Sequence, residues 1–121
     1  MALVAVKGCQ LTVQLPSAGN AEIDEGQEAS DVEIEGNGAY FGTLKITLSG
    51  CSTTGAVKGA GTGTITGTGR HFANSELPAL VVGDTATVKV TGETTSSPPS
   101  ETSWDVVVKV TEAGQTTVDI T

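Results

Sequence analysis

The chain has 121 residues, with 14 Asp and Glu against 6 Lys and Arg, a net charge of −8. A surface this acidic repels phosphate backbones and anionic membranes, which excludes nucleic acid as a partner. Its length suits one domain with a modest core. Aromatics are scarce (Tyr40, Phe41, Phe72 and Trp104), whereas Thr, Val and 16 glycines are abundant, and no long amphipathic helical pattern is present. The fold class this predicts is all-β.

Residues 1–7, MALVAVK, are apolar but lack a basic start and a small-residue cleavage site. They predict a first strand, not a signal peptide, and no run of about 18 apolar residues follows. The expectation is a protein made in the cytoplasm that leaves it, if at all, by a route other than general secretion. Residues 9–15 alternate strictly, with Cys9, Leu11, Val13 and Leu15 on one face, as in a half-buried strand. Residues 16–20, PSAGN, end it. Residues 22–35 then carry Glu22, Asp24, Glu25, Glu28, Asp31, Glu33 and Glu35. They read as an acidic loop or strand edge that discourages edge-to-edge pairing. The run lacks the EF-hand spacing that would mark it as a calcium site, so its signal for calcium is weak.

Residues 43–48 alternate again, with Leu44, Ile46 and Leu48 facing in; residues 49–61 read as loop and residues 62–68 as a polar strand. The run Gly59-Ala60-Gly61-Thr62-Gly63 lacks the Lys-Ser or Lys-Thr and helix of a phosphate-binding loop, so its glycines predict close strand packing. Residues 85–91 place Ala86, Val88 and Val90 on one face. Residues 92–103, GETTSSPPSETS, predict a flexible polar loop. Residues 104–111 and 115–120 then read as a closing hairpin, with Trp104 on its core side.

Between these lies the most distinctive stretch, residues 67–84, GTGRHFANSELPALVVGD. It predicts two short strands joined by a turn at Asn74 and Ser75, restarted by Pro78 and closed by Gly83-Asp84. Pro78, Ala79, Gly83 and Asp84 follow in the order of the PAAR-repeat signature, which this segment resembles. Val81 stands where that family carries Arg, and no second copy of the motif occurs. The resemblance implies a small conical β fold, with a β-sandwich as the alternative architecture. It also implies a structural role: the tip of a membrane-piercing spike in a phage tail or contractile injection apparatus. One copy would cap a trimeric β-helical spike protein and touch the target cell envelope transiently, on the virion tail tip or an extracellular injection particle. A phage decoration, adhesin or carbohydrate-binding β-sandwich is the alternative function.

Cys9, Cys51 and His71 are the candidate ligands of a single structural metal ion. Thiolate and imidazole suit zinc, and the resemblance implies a metal, zinc or iron, near the point of the cone. Two other readings stay open: both cysteines as small buried hydrophobes with His71 exposed, or a Cys9–Cys51 disulfide. A catalytic triad can be written from either Cys with His71 and Asp84, but no motif supports it, and the chain is expected not to be an enzyme.

Overall fold

The computed structural model describes residues 2–71 and 76–120. The turn assigned to Asn74 and Ser75 therefore lies outside the described residues. Among the described residues the strands are β1 (Ala2–Leu3), β2 (Gln10–Val13), β3 (Ala18–Ile23), β4 (Glu33–Ile34), β5 (Asn37–Gly38), β6 (Thr43–Thr53), β7 (Ala56–Thr66), β8 (Thr85–Thr94), β9 (Glu101–Glu112) and β10 (Asp119–Ile120). Among the described residues there is no helix, so none could cross a membrane. The protein is all-β.

Six strands form one antiparallel sheet in the order β2-β9-β8-β7-β6-β3. Its two edges, β2 and β3, are consecutive in sequence and face each other, so the sheet wraps nearly into a barrel. Alternation explains the inside. Leu44, Ile46, Leu48 and Cys51 on β6 meet Val88 and Val90 on β8 and Val106, Val108 and Val110 on β9, all buried in one cluster. The matching outward positions are mostly Thr, Lys, Ser and Glu. Period-two patterning thus sets both register and face.

The glycine run closes the barrel. On β7 three successive inward positions, Gly59, Gly61 and Gly63, precede the buried Ile65, and at each glycine the space a Cβ would need is already taken. Such a Cβ would stand 2.7 Å from the Trp104 ring at Gly59, 2.5 Å from the Lys89 carbonyl at Gly61 and 2.6 Å from Val88 at Gly63. Pairing of β7 with β8 runs from Ala56↔Thr94 to Ala60↔Thr91 and then stops. Beyond it the sheet folds over itself, and the side chains of β8 rest on bare β7 backbone. The close-packing expectation for this run is met, and residues 49–61, expected as loop, are mostly strand.

Two further expectations change. The stretch 92–103 is not a free loop: Gly92 pairs with Thr102 and Glu93 with Glu101, leaving only residues 95–100 to turn. The Thr94 amide donates to the Ser100 carbonyl at 2.8 Å, and the Thr95 amide donates to Gly55 at 3.0 Å, tying the two hairpin tips together. Local Ser, Thr and Pro content hid strand pairing that depends on partners elsewhere. The closing hairpin also does not form, because β10 pairs with β1 at the other end of the chain.

Replacing Gly59 by Ala should push the only Trp out of its seat. We expect a red-shifted Trp104 emission and a loss of about 1–3 kcal/mol in urea unfolding. Unchanged emission in Gly59→Ala would contradict the packing described.

Candidate functional site

The barrel is closed at one end by a second, smaller cluster of Val4, Val6, Ile34, Ala39, Ala79 and Val81. Its frame is a three-sided ring of backbone. The Ala5 amide donates to Leu80 (2.7 Å), the Leu80 amide to Tyr40 (3.0 Å) and the Tyr40 amide to Ala5 (3.0 Å). Three isolated antiparallel bridges, Val4↔Val81, Val6↔Ala39 and Phe41↔Ala79, complete the circuit. Each of the segments 4–6, 39–41 and 79–81 thus pairs with both of the others.

The three segments are alike beyond their pairing. Each is short and apolar, and each ends at a glycine with positive φ: Gly8 at 101°, Gly42 at 79° and Gly83 at 100°. Such angles favour glycine, which here turns the chain from the ring into the barrel. The strands that follow are β2, β6 and β8. Each ring segment also has an outer partner: the Val4 amide donates to Val118, the Ala39 amide to Val32, and Ala79 accepts from the Gly69 amide. The end of the barrel is therefore a prism with three two-stranded arms.

A polar side chain clips each arm. Asp84, 3% exposed, accepts from the amides of Val81 and Thr68 and from the Thr68 hydroxyl. Gln115, equally enclosed, donates from Nε2 to the carbonyls of Val4 and Val118 and accepts the Thr117 and Val118 amides on Oε1. In the third arm the Ser30 hydroxyl donates to Ala39 and accepts the Val32 amide. Each clip satisfies backbone groups that so short an arm leaves without ladder partners. Two arms are also linked, since Glu35 accepts from the Thr116 amide at 2.7 Å and from the Thr117 hydroxyl. Asp84 belongs to the motif-like stretch; Gln115 and Ser30 carried no sequence signal, because their partners are distant or local backbone.

The proposed metal ligands do not come together. Cys51 is buried beneath β3, its Sγ 2.7 Å from where a Cβ on Gly19 would lie. Cys9 instead flanks Ala21, Glu22 and Ile23. Two to four residues of extended chain separate these places, roughly 7–13 Å. A shared zinc needs both sulfurs about 2.3 Å from the metal, and a disulfide needs Cα atoms no more than about 7 Å apart. Both thiols are free. His71 is exposed beyond the ring end of β7. The Cys51 partner Gly59 lies seven β7 residues from Thr66, about 23 Å along the strand.

Among the described residues no group of three or more His, Cys, Asp or Glu could hold a metal ion. Burial pushes the Cys9 thiol up to about 11, against a smaller lowering by its backbone hydrogen bond, and burial raises Cys51 as well. Buried thiols raised in this way do not suit nucleophilic chemistry. The residues present therefore do not fit the metal that the motif implied. Cys9 and Cys51 are core hydrophobes, and Trp104 packs half-buried against Gly59 near Cys51.

Removing the Asp84 clip, in Asp84→Ala, should strand buried amides and cost about 3 kcal/mol in urea unfolding. A cost below about 1 kcal/mol would deny it that role. Glu35 gives a pH signature. The Thr117 hydroxyl, then the Thr116 amide, hold its carboxyl below the ordinary value of 4.5. A lowered folded-state pKa stabilises the protein above the ordinary value, and the benefit is lost as pH falls through the lowered one. In carboxyl NMR titration Glu35 should therefore titrate below the ordinary value of 4.5, and Thr117→Val should raise it toward that value.

Comparison with known proteins returned no matching family model, no matching curated protein and no matching solved structure.

Proposed function

We propose that the protein is a non-catalytic structural cap: the tip of a membrane-piercing spike in a phage tail or related contractile injection apparatus. One copy sits on the end of a trimeric β-helical spike protein, on the virion tail tip or an extracellular injection particle. The observation that carries this reading is the three-sided ring with its three clipped arms. A single chain placed on a three-fold axis meets three identical chains, and an asymmetric surface can satisfy only one of them well. A cap whose own backbone repeats an arm three times offers each spike chain a similar strand edge.

The setting of the motif-like residues supports this reading. Ala79 lies in the ring, Gly83 turns the chain into β8, and Asp84 clips the arm built on segment 79–81. The buried, protonated thiols support a role without chemistry. Small side chains on β7 allow tight backbone packing, so load passes through hydrogen-bonded strands and not through a soft side-chain layer.

Co-expression with the trimeric spike of the same particle tests the reading by native mass spectrometry. One copy bound per trimer is the expected stoichiometry. A protein that stays monomeric beside an intact trimer, or binds as three copies, would sink the cap and leave the decoration or adhesin module in its place.

A further inference from the structure

The three-fold pattern of the ring extends one residue beyond each segment. The Lys7 amide donates to Gly38 (2.9 Å), the Gly42 amide to Pro78 (2.7 Å) and the Val82 amide to Leu3 (2.9 Å). The three positions match in backbone but not in what lies over them. At the first, Ala29 and Ser30 press on Gly38, where a Cβ would stand 2.7 Å from the Ala29 Cβ and 2.6 Å from the Ser30 carbonyl. At the second, Leu77 lies against Gly42, its Cδ1 3.0 Å from where a Cβ would be. At the third, a cleft of about 370 Å³ opens over Leu3 and Val82.

Pairing fixes which side chains line this cleft. Val4 and Val81 face the prism cluster, so their neighbours Leu3 and Val82 face the other way, toward the barrel. Val82 packs on the barrel core, whereas Leu3, half-buried, belongs to neither cluster. The end of β9 and the turn after it supply the opposite wall, with Thr111, Glu112, Ala113 and Thr116. Gln115 ties that turn to Val4 and Val118, which holds the two walls in place. The floor is aliphatic and the rim polar.

The rim is also acidic. Glu112 lines it, Asp119 stands opposite Leu3 in the β1–β10 pair and shares its face, and Glu35 accepts the Thr116 amide. Among the described residues no Lys, Arg or His lines the cleft. Lys7 sits at the Gly38 position, and Lys109 lies opposite Thr12 and Thr85 on the barrel wall. Neither forms an ion pair with these carboxylates; the pair found among the described residues, Lys58–Glu93, is at the far end of the barrel. An aliphatic floor under a carboxylate rim suits a side chain with an apolar stem and a cationic head. We propose that this cleft takes a Lys or Arg side chain of a partner protein. Its methylenes lie on Leu3, Val82 and Ala113, and its charge meets Glu112 and Asp119. A second copy of the chain, at −8 overall, approaches the same rim against its own charge. The proposal does not rest on the spike reading, because it concerns one flank and needs no trimer.

Three acetylated pentapeptide amides, Gly-Ser-X-Ser-Gly with X as Lys, norleucine or diaminopropionic acid, test it. Norleucine keeps the stem without the charge, and diaminopropionic acid keeps the charge without the stem. Each is titrated into isotope-labelled protein and followed by NMR up to about 10 mM, which reaches weak binding. The Lys peptide should shift the amides of Leu3, Val82, Gly114 and Thr116 together. The other two should each bind about threefold more weakly or worse. Glu112→Gln should weaken the Lys peptide by about two- to fivefold and leave the norleucine peptide unchanged. Leu3→Ser, at a site outside both core clusters, should weaken the Lys and norleucine peptides alike. If Leu3→Ser fails to fold, the three peptides and Glu112→Gln decide the matter. Unmoved cleft amides, a norleucine or diaminopropionic acid peptide that binds as well as the Lys peptide, or the same shifts on concentrating the protein alone would each overturn the proposal. Stoichiometry on the spike is a separate readout, so either proposal can fail without the other.

Discussion

Everything in this protein hangs on three backbone hydrogen bonds that close on themselves. Ala5, Tyr40 and Leu80 each donate to the next, and the three strands entering the barrel start from their segments. The residues of this three-way backbone junction are apolar throughout: Ala, Val and Leu with Tyr40 and Phe41. A cyclic arrangement also has no free edge of its own. Its arms do, and Asp84, Gln115 and Ser30 answer there with side-chain donors and acceptors.

At the other end of the molecule the constraint is spatial. The sheet must fold sharply between β7 and β8 so that one wrapped sheet can bury both halves. Glycine at alternate inward positions of β7 permits it, and Trp104, Val90 and Val88 fill the space thus given. Few aromatics are needed, because backbone takes the place that side chains occupy in a wider barrel. A core so built is thin but close-packed, and loss of a single methylene would be felt.

The all-β class was legible from the sequence because alternation is local. Leu44, Ile46 and Leu48, or Val88 and Val90, declare their faces over a few residues. The glycine run was legible in purpose but not in extent, since nothing nearby says that Gly59 faces Trp104. The polar stretch 92–103 misled for the opposite reason: Thr102 and Glu101 are strand residues only because Gly92 and Glu93 lie opposite. Cys9, Cys51 and His71 were grouped by chemical type, which carries no distance, and the register keeps them apart. The ring itself was invisible, as its three segments share nothing but a short apolar run before a glycine.

The same closure has a consequence in time. Gln115 bonds Val4 across 111 residues, and Glu35 bonds Thr117 across 82. Contacts this remote in sequence place the chain among slow, topology-limited folders, in milliseconds to seconds. During synthesis the first strand must wait, its edges unpaired, until the last arm has left the ribosome. The hairpins β6–β7 and β8–β9 can form early, whereas the prism forms last and all at once. A chain cut short between Glu112 and Gln115 would carry all six strands of the barrel wall without the Gln115 clip that ties the first strand to the last, so its ring end would stay open.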